Sequence, residues 1–239
     1  MLYLLVSCVL GLIVGSFLNV VILRVHAGKQ FIRGRSACPH CHHQLSALEM
    51  IPVISWLVVR GRCRHCRKPI SIQYPLVELV TAGLFALSYV QFKFNDVADV
   101  IFFGLWLYVL GSMIVLAVYD IRWYLLPDKV LVPLIIPALL VAAGQAFMSQ
   151  SYQPLLSSIG AALLFGGFFY SLAAVSKGKW MGGGDIKLAF VMGLILGLQK
   201  TLLAMFIAFN TAALVGVLLI LMKRTKPGNV IPFGPFLIG

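Results

Sequence analysis

Seven predominantly apolar runs leave this chain little sequence for anything but membrane helices. They fall at about 2 to 23, 76 to 92, 100 to 119, 130 to 148, 156 to 175, 187 to 198 and 201 to 222, with a further apolar start at Ile231. A bilayer core needs roughly 17 to 25 such residues per helix. The sixth run is short and carries Gly193 and Gly197, so it reads as a tilted or packed half-length helix. With 61% hydrophobic and 11% charged residues and a mean hydropathy of +0.98, a soluble domain is excluded. The run from Leu2 to Leu23 lacks a basic start and a small-residue cleavage site, and is expected to stay as a helix. The expected fold is an all-α polytopic membrane protein of about seven to eight transmembrane helices.

Orientation follows from Lys and Arg, which are retained in cytoplasmic loops. With the N-terminus outside, the inside segments are 24 to 75, 120 to 129, 176 to 187 and 223 to 230, and they hold 17 of the 19 basic residues. Only Lys93 and Lys200 fall outside. Topology thus explains the net charge of +12, and no nucleic-acid partner is needed.

The same topology puts two carboxylates on one face. Asp120 closes the third run, and Asp185 precedes the sixth in Gly182-Gly183-Gly184-Asp185-Ile186-Lys187. Ionisable residues at membrane helices are costly and usually functional. Two carboxylates held close share a proton, so one serves as acid while the other activates a water, which is aspartic-protease chemistry. The glycines give room for close backbone approach or positive φ, and so for a substrate strand. A plainer reading makes Asp185 a cap for the next helix, balances Asp120 with Arg122, and makes Asp128 after Pro127 a cap for the fourth run. Asp128 is the reserve acid.

The large inside segment carries Cys38-Pro39-His40-Cys41 and Cys63-Arg64-His65-Cys66, two C-x2-C knuckles separated by 21 residues. That is the spacing of a structural zinc site with four cysteine ligands, and a reducing compartment favours metal over disulfides. His40, His42, His43 and His65 are nearby substitutes, while Cys8 lies within the first run. A segment of roughly fifty residues buries little core, so metal would contribute directly to its folding.

Several ordered motifs together resemble the type IV prepilin peptidases. They begin with Gly15-Ser16-Phe17-Leu18-Asn19-Val20-Val21-Ile22 before Arg24. The paired knuckles follow, with Ile51-Pro52 and Ser55 between them and Ile70-Ser71, Tyr74-Pro75 and Glu78 after. Asp120 with Leu126-Pro127-Asp128, then Gly182 to Lys187, then Pro232-Phe233-Gly234-Pro235-Phe236 complete the order. The resemblance implies an enzyme of the bacterial cytoplasmic (inner) membrane. It would cut the basic leader from type IV prepilins and pseudopilins at the cytoplasmic face, with Asp120 and Asp185 catalytic and Gly182, Gly183, Gly184, Lys187 and Asp128 in the active-site loop. It also implies N-methylation of the new amino terminus with S-adenosylmethionine, tied to the cytoplasmic segment, where Glu49, Gly61 and Arg62 sit at motif positions. Met50 stands where the family usually has Asn, and Arg62 where Lys is common.

The expected organisation is a first helix (1-23), a zinc-stapled cytoplasmic domain bearing the methyltransferase part (24-75) and a peptidase domain (76-239). The stop at Gly239, early in an expected eighth span, reads as a shortened C-terminus. A transporter or ion pathway also uses intramembrane carboxylates, though near the bilayer midplane, and a non-catalytic anchor for a zinc module would need no paired aspartates.

Overall fold

The structure, a computed structural model, describes residues 1–30, 34–223 and 232–239. The expected inside segment 223–230 lies outside these except for Lys223, as does the apolar start at Ile231. The described residues form helices α1 (Leu2–His26), α2 (Ile54–Val58), α3 (Gln73–Gln91), α4 (Val97–Trp123), α5 (Asp128–Leu131), α6 (Ile135–Met148), α7 (Gln153–Val175), α8 (Gly183–Leu221) and α9 (Gly234–Ile238), with a 3-10 turn at Leu48–Met50.

Among the described residues, five candidate spans are long and apolar enough to cross a membrane: α1, α4, the α5–α6 stretch Asp128–Met148, α7 and α8. The remaining apolar run is α3, where Gln73, Glu78 and Gln91 dilute the hydropathy. The sixth and seventh runs are continuous in the 39-residue α8 except at Gly197, whose φ of 71° and ψ of 176° break the helix. An interrupted ladder frees a backbone donor that hydrocarbon cannot satisfy. Ser157 Oγ of α7 takes it, accepting from Leu198 N–H at 3.0 Å.

The chain divides into two compact units, Met1–Val115 and Leu116–Gly239, and the division falls inside α4. In the N-terminal unit α1 packs on α3 through small residues. A Cβ at Gly11 would lie 2.6 Å from Ala82 Cα, and one at Gly15 would lie 2.7 Å from Glu78 Cα. Such close approach is how apolar helices associate where lipid offers no hydrophobic drive. Buried Asn19 locks the register by donating to Tyr74 O at 3.1 Å and accepting from Gln73 at 3.2 Å. In the C-terminal unit Gly193 has the same role, since a Cβ there would lie 2.5 Å from the Ala162 nitrogen of α7.

Candidate active site

Asp120 stands one turn before the end of α4 and is only 5% exposed. Its Oδ2 accepts a 2.9 Å hydrogen bond from the backbone N–H of Gly234, the first residue of α9. Aromatic packing brings that N–H there. The Phe233 ring lies 5.1 Å from that of Phe209 and 6.1 Å from that of Phe169, which seats the C-terminal segment beside Asp120. A Cβ on Gly234 would fall 2.8 Å from Asp120 Oδ2, so glycine is what lets the backbone come this close.

Asp185 lies in the first turn of α8, and its Oδ2 accepts the Gly182 N–H at 3.2 Å. The capping role weighed from sequence is therefore present, and an anionic group suits a helix N-terminus. Asp185 also interacts electrostatically with Asp120, so the fold brings together two carboxylates 65 residues apart in sequence. Capping and pairing belong to one side chain.

The glycines before Asp185 do not adopt the positive φ allowed for them. Gly182 is extended at φ −78°, and the described glycines with positive φ are Gly28, Gly34, Gly61, Gly178 and Gly197. Close approach is the part that holds, because a Cβ on Gly184 would lie 2.7 Å from Leu126 Cβ. Asp128 is the first residue of α5 and makes no side-chain cap, contrary to the sequence expectation. Its Oδ1 instead pairs with Lys187 Nζ at 2.6 Å, both side chains being well exposed. Arg122 lies 5.0 Å from the centre of the Trp123 ring.

In the N-terminal unit the two knuckles have one backbone design. The N–H of Cys38 donates to His43 O and that of Cys63 to Lys68 O, each at 2.9 Å. His42 and Arg67, each four residues after the first cysteine of its knuckle, both turn through positive φ. The four sulfurs converge within 4.8 Å, with Cys38–Cys66 at 3.8 Å and Cys41–Cys63 at 3.9 Å. A zinc ion with bonds of about 2.3 Å in a tetrahedron needs sulfurs about 3.8 Å apart, so Cys38, Cys41, Cys63 and Cys66 fit it. Burial works against the Cys38 thiolate, but backbone hydrogen bonds at Cys41 and His40 outweigh it and bring the thiol down to about 7. The His43 and His65 rings lie against each other at a tilt of 33°, centres 3.5 Å apart, and with Glu49 form a separate convergent group.

The three residues placed by resemblance alone lie around one cavity of this unit. Glu49 and Arg62 line it. The Glu49 carboxylate accepts from both Ser46 N–H and Ser46 Oγ at 2.9 Å, and these bonds hold it below the usual range. Gly61 lies behind Trp56, another lining residue: at φ +65° it turns the chain, and a Cβ would meet Trp56 Cζ2 at 2.8 Å. Sequence reasoning gave no role to Gly234, Leu126 or Trp56. Leu126 and Gly234 were marked there only as members of motifs, with no contact assigned to them.

Residues 9–92 match the family described as Bacterial Peptidase A24 N-terminal domain, and residues 107–217 match the Type IV leader peptidase family. Relatives named prepilin leader peptidase/N-methyltransferase include one from Stutzerimonas stutzeri, 31% identical over 98% of this chain and 87% of its own. One from Bacillus subtilis is 34% identical over 95% and 87%, and one from Myxococcus xanthus is 36% identical over 89% and 62%. No solved structure matches. This multi-pass membrane protein belongs to the type IV leader peptidase family.

Proposed function

We propose that this chain is a prepilin leader peptidase and N-methyltransferase in which Asp120 and Asp185 are the catalytic pair. The observation that carries the peptidase reading is the pairing of these aspartates within one compact unit, each tied to a backbone N–H. A pair sharing one proton supplies both groups that peptide hydrolysis needs. The ionised member takes a proton from water as it attacks the scissile carbonyl, and the protonated member delivers one to the departing amine. The Gly234 N–H and the Gly182 N–H fix the direction of each carboxylate. Gly182, Gly183 and Gly184 keep the approach to Asp185 free of side chains, and the Lys187–Asp128 pair holds the rim rather than the chemistry.

The basic loops support an arrangement with both aspartates and the cysteine module on the cytoplasmic side of the inner membrane. Prepilins and pseudopilins, with a basic leader before an apolar helix, are the substrates that this face would meet. The cysteine set favours structural zinc, which would staple residues 24–75 as a domain beside the first helix, 1–23, and the peptidase part, 76–239. The names of the relatives support the second activity, for which S-adenosylmethionine is the donor and Glu49, Gly61 and Arg62 are the assigned residues. The tether of that domain between two helices keeps a membrane-held product at high local concentration. Incubating purified protein with a prepilin and the donor, then weighing the product, tests both steps. Leader loss supports the peptidase, and a methylated terminus supports the second activity.

A further inference from the structure

His43 and His65 come from different knuckles of the cysteine module, one following Cys41 by two residues and the other lying between Cys63 and Cys66. The knuckles fix both backbones. His43 O accepts the Cys38 N–H at 2.9 Å, and the Cys63 N–H donates to Lys68 O across the loop that holds His65. The two rings meet with centres 3.5 Å apart, at a tilt of 33°. Glu49 reaches the same spot from the 3-10 turn Leu48–Met50. Its Oε2 is held by Ser46 N–H and Ser46 Oγ, each at 2.9 Å, which leaves Oε1 with no hydrogen bond among the described residues. One ligand atom from each of the three lies within 4.8 Å of the others, yet among the described residues no hydrogen bond or salt bridge joins the carboxylate to either ring.

Packing of two rings would account for the histidine pair alone. It does not account for a carboxylate drawn up beside both rings and bonded to neither. Two imidazoles and a carboxylate on a prearranged frame are a ligand set for borderline divalent ions, with bonds of about 2.0 to 2.2 Å. Such bonds place tetrahedral ligand atoms about 3.4 Å apart, so the three side chains close on an ion by moving about 1 Å or less. We propose that His43, Glu49 and His65 form a second metal site, separate from the four cysteines, for a divalent ion such as zinc, cobalt or nickel. The site goes beyond the two activities proposed above and needs neither. Three protein ligands leave at least one position open to water or an anion, in contrast to the closed set of four cysteines. His65 is exposed and His43 and Glu49 are half-buried, so this ion exchanges with solution while the cysteine-held one stays. The Arg64 guanidinium acts on the Glu49 carboxylate and opposes a second cation, whereas four thiolates around one zinc leave two negative charges in excess and favour it.

The test uses the full chain in detergent, zinc-loaded at the cysteines, freed of loosely held metal by a brief chelator wash and then dialysed against Co²⁺. The wild type should bind one further equivalent saturably, with the ligand-field bands of nitrogen and oxygen coordination and no thiolate-to-metal charge transfer. His43→Ala combined with His65→Ala, and separately Glu49→Gln, should each weaken that binding by about tenfold or more, with zinc retained at the cysteines as the check on folding. In the wild type, Co²⁺ should also protect His43 and His65, and not His40 or His42, from carbethoxylation mapped by mass spectrometry, which keeps the test decisive if a variant folds poorly. No binding beyond the zinc would overturn the proposal. So would cobalt with a thiolate charge-transfer band, which places it among the cysteines, or cobalt bound equally by the variants, an adventitious ion only.

Discussion

The backbone N–H of Gly234 donates a 2.9 Å hydrogen bond to Oδ2 of Asp120, joining residues 114 positions apart. The bond fixes the direction of a buried carboxylate from a segment whose own sequence carries no ionisable group. Replacing Gly234 by Ala would put a Cβ 2.8 Å from that oxygen. The carboxylate must then turn, and a displacement of about 1 Å at a reacting group costs roughly a hundredfold in rate. Gly234→Ala should therefore lower prepilin cleavage by about that factor in properly inserted protein. A rate within a few-fold of wild type would show that the contact does not orient Asp120.

Asp128 and Lys187 should matter far less. Their ion pair is exposed, and such pairs contribute about 0 to 1 kcal/mol. Asp128→Asn is expected to retain most of the cleavage rate and to shift Tm by no more than a few degrees. Loss of activity as complete as that of an Asp120 variant would make Asp128 a member of the catalytic pair.

About one zinc per chain should be held by Cys38, Cys41, Cys63 and Cys66, and double Cys→Ser substitution should release it. Because the segment has little core of its own, chelation should loosen it to proteolysis while the C-terminal unit stays resistant. Elemental analysis of a clean preparation that finds no zinc would remove the site.

The packing of α7 on α8 makes a claim about stability. With Ala162 backbone 2.5 Å from a Cβ built at Gly193, even Gly193→Ala forces the helices apart. A loss of roughly 1 to 3 kcal/mol is expected, as for other overpacked interfaces. Gly160→Ala has open space around its Cβ and serves as the control, so equal thermal shifts in the two variants would contradict the packing.

The sequence made the membrane runs legible because hydrocarbon imposes a length that can be counted, and the cysteine module because four thiols on one metal impose a spacing. Asp120 and Asp185 were legible as rare acids at the ends of apolar runs. Their capping and pairing looked like rival explanations until the structure had Asp185 accept the Gly182 N–H and interact with Asp120 at once. Of the two freedoms that Gly182, Gly183 and Gly184 offered, the structure uses close approach and not positive φ, which glycine permits without requiring. Leu126 and Gly234 stood within motifs that carried the resemblance, but their contacts with Gly184 and Asp120, like that of Trp56 with Gly61, were not readable, because a contact between segments distant in sequence or made through a fold leaves no mark of its partner.

The most direct measurement of the central claim is cleavage of a purified prepilin by Asp120→Asn and Asp185→Asn. These changes keep size and nearly keep shape, so loss of packing does not account for loss of rate, and zinc content and thermal stability report on folding. Each variant should lose at least about 10² to 10⁴ of the rate, since a shared proton needs both members of the pair. Substantial leader removal by either folded variant would contradict the assignment of Asp120 and Asp185 as the catalytic pair.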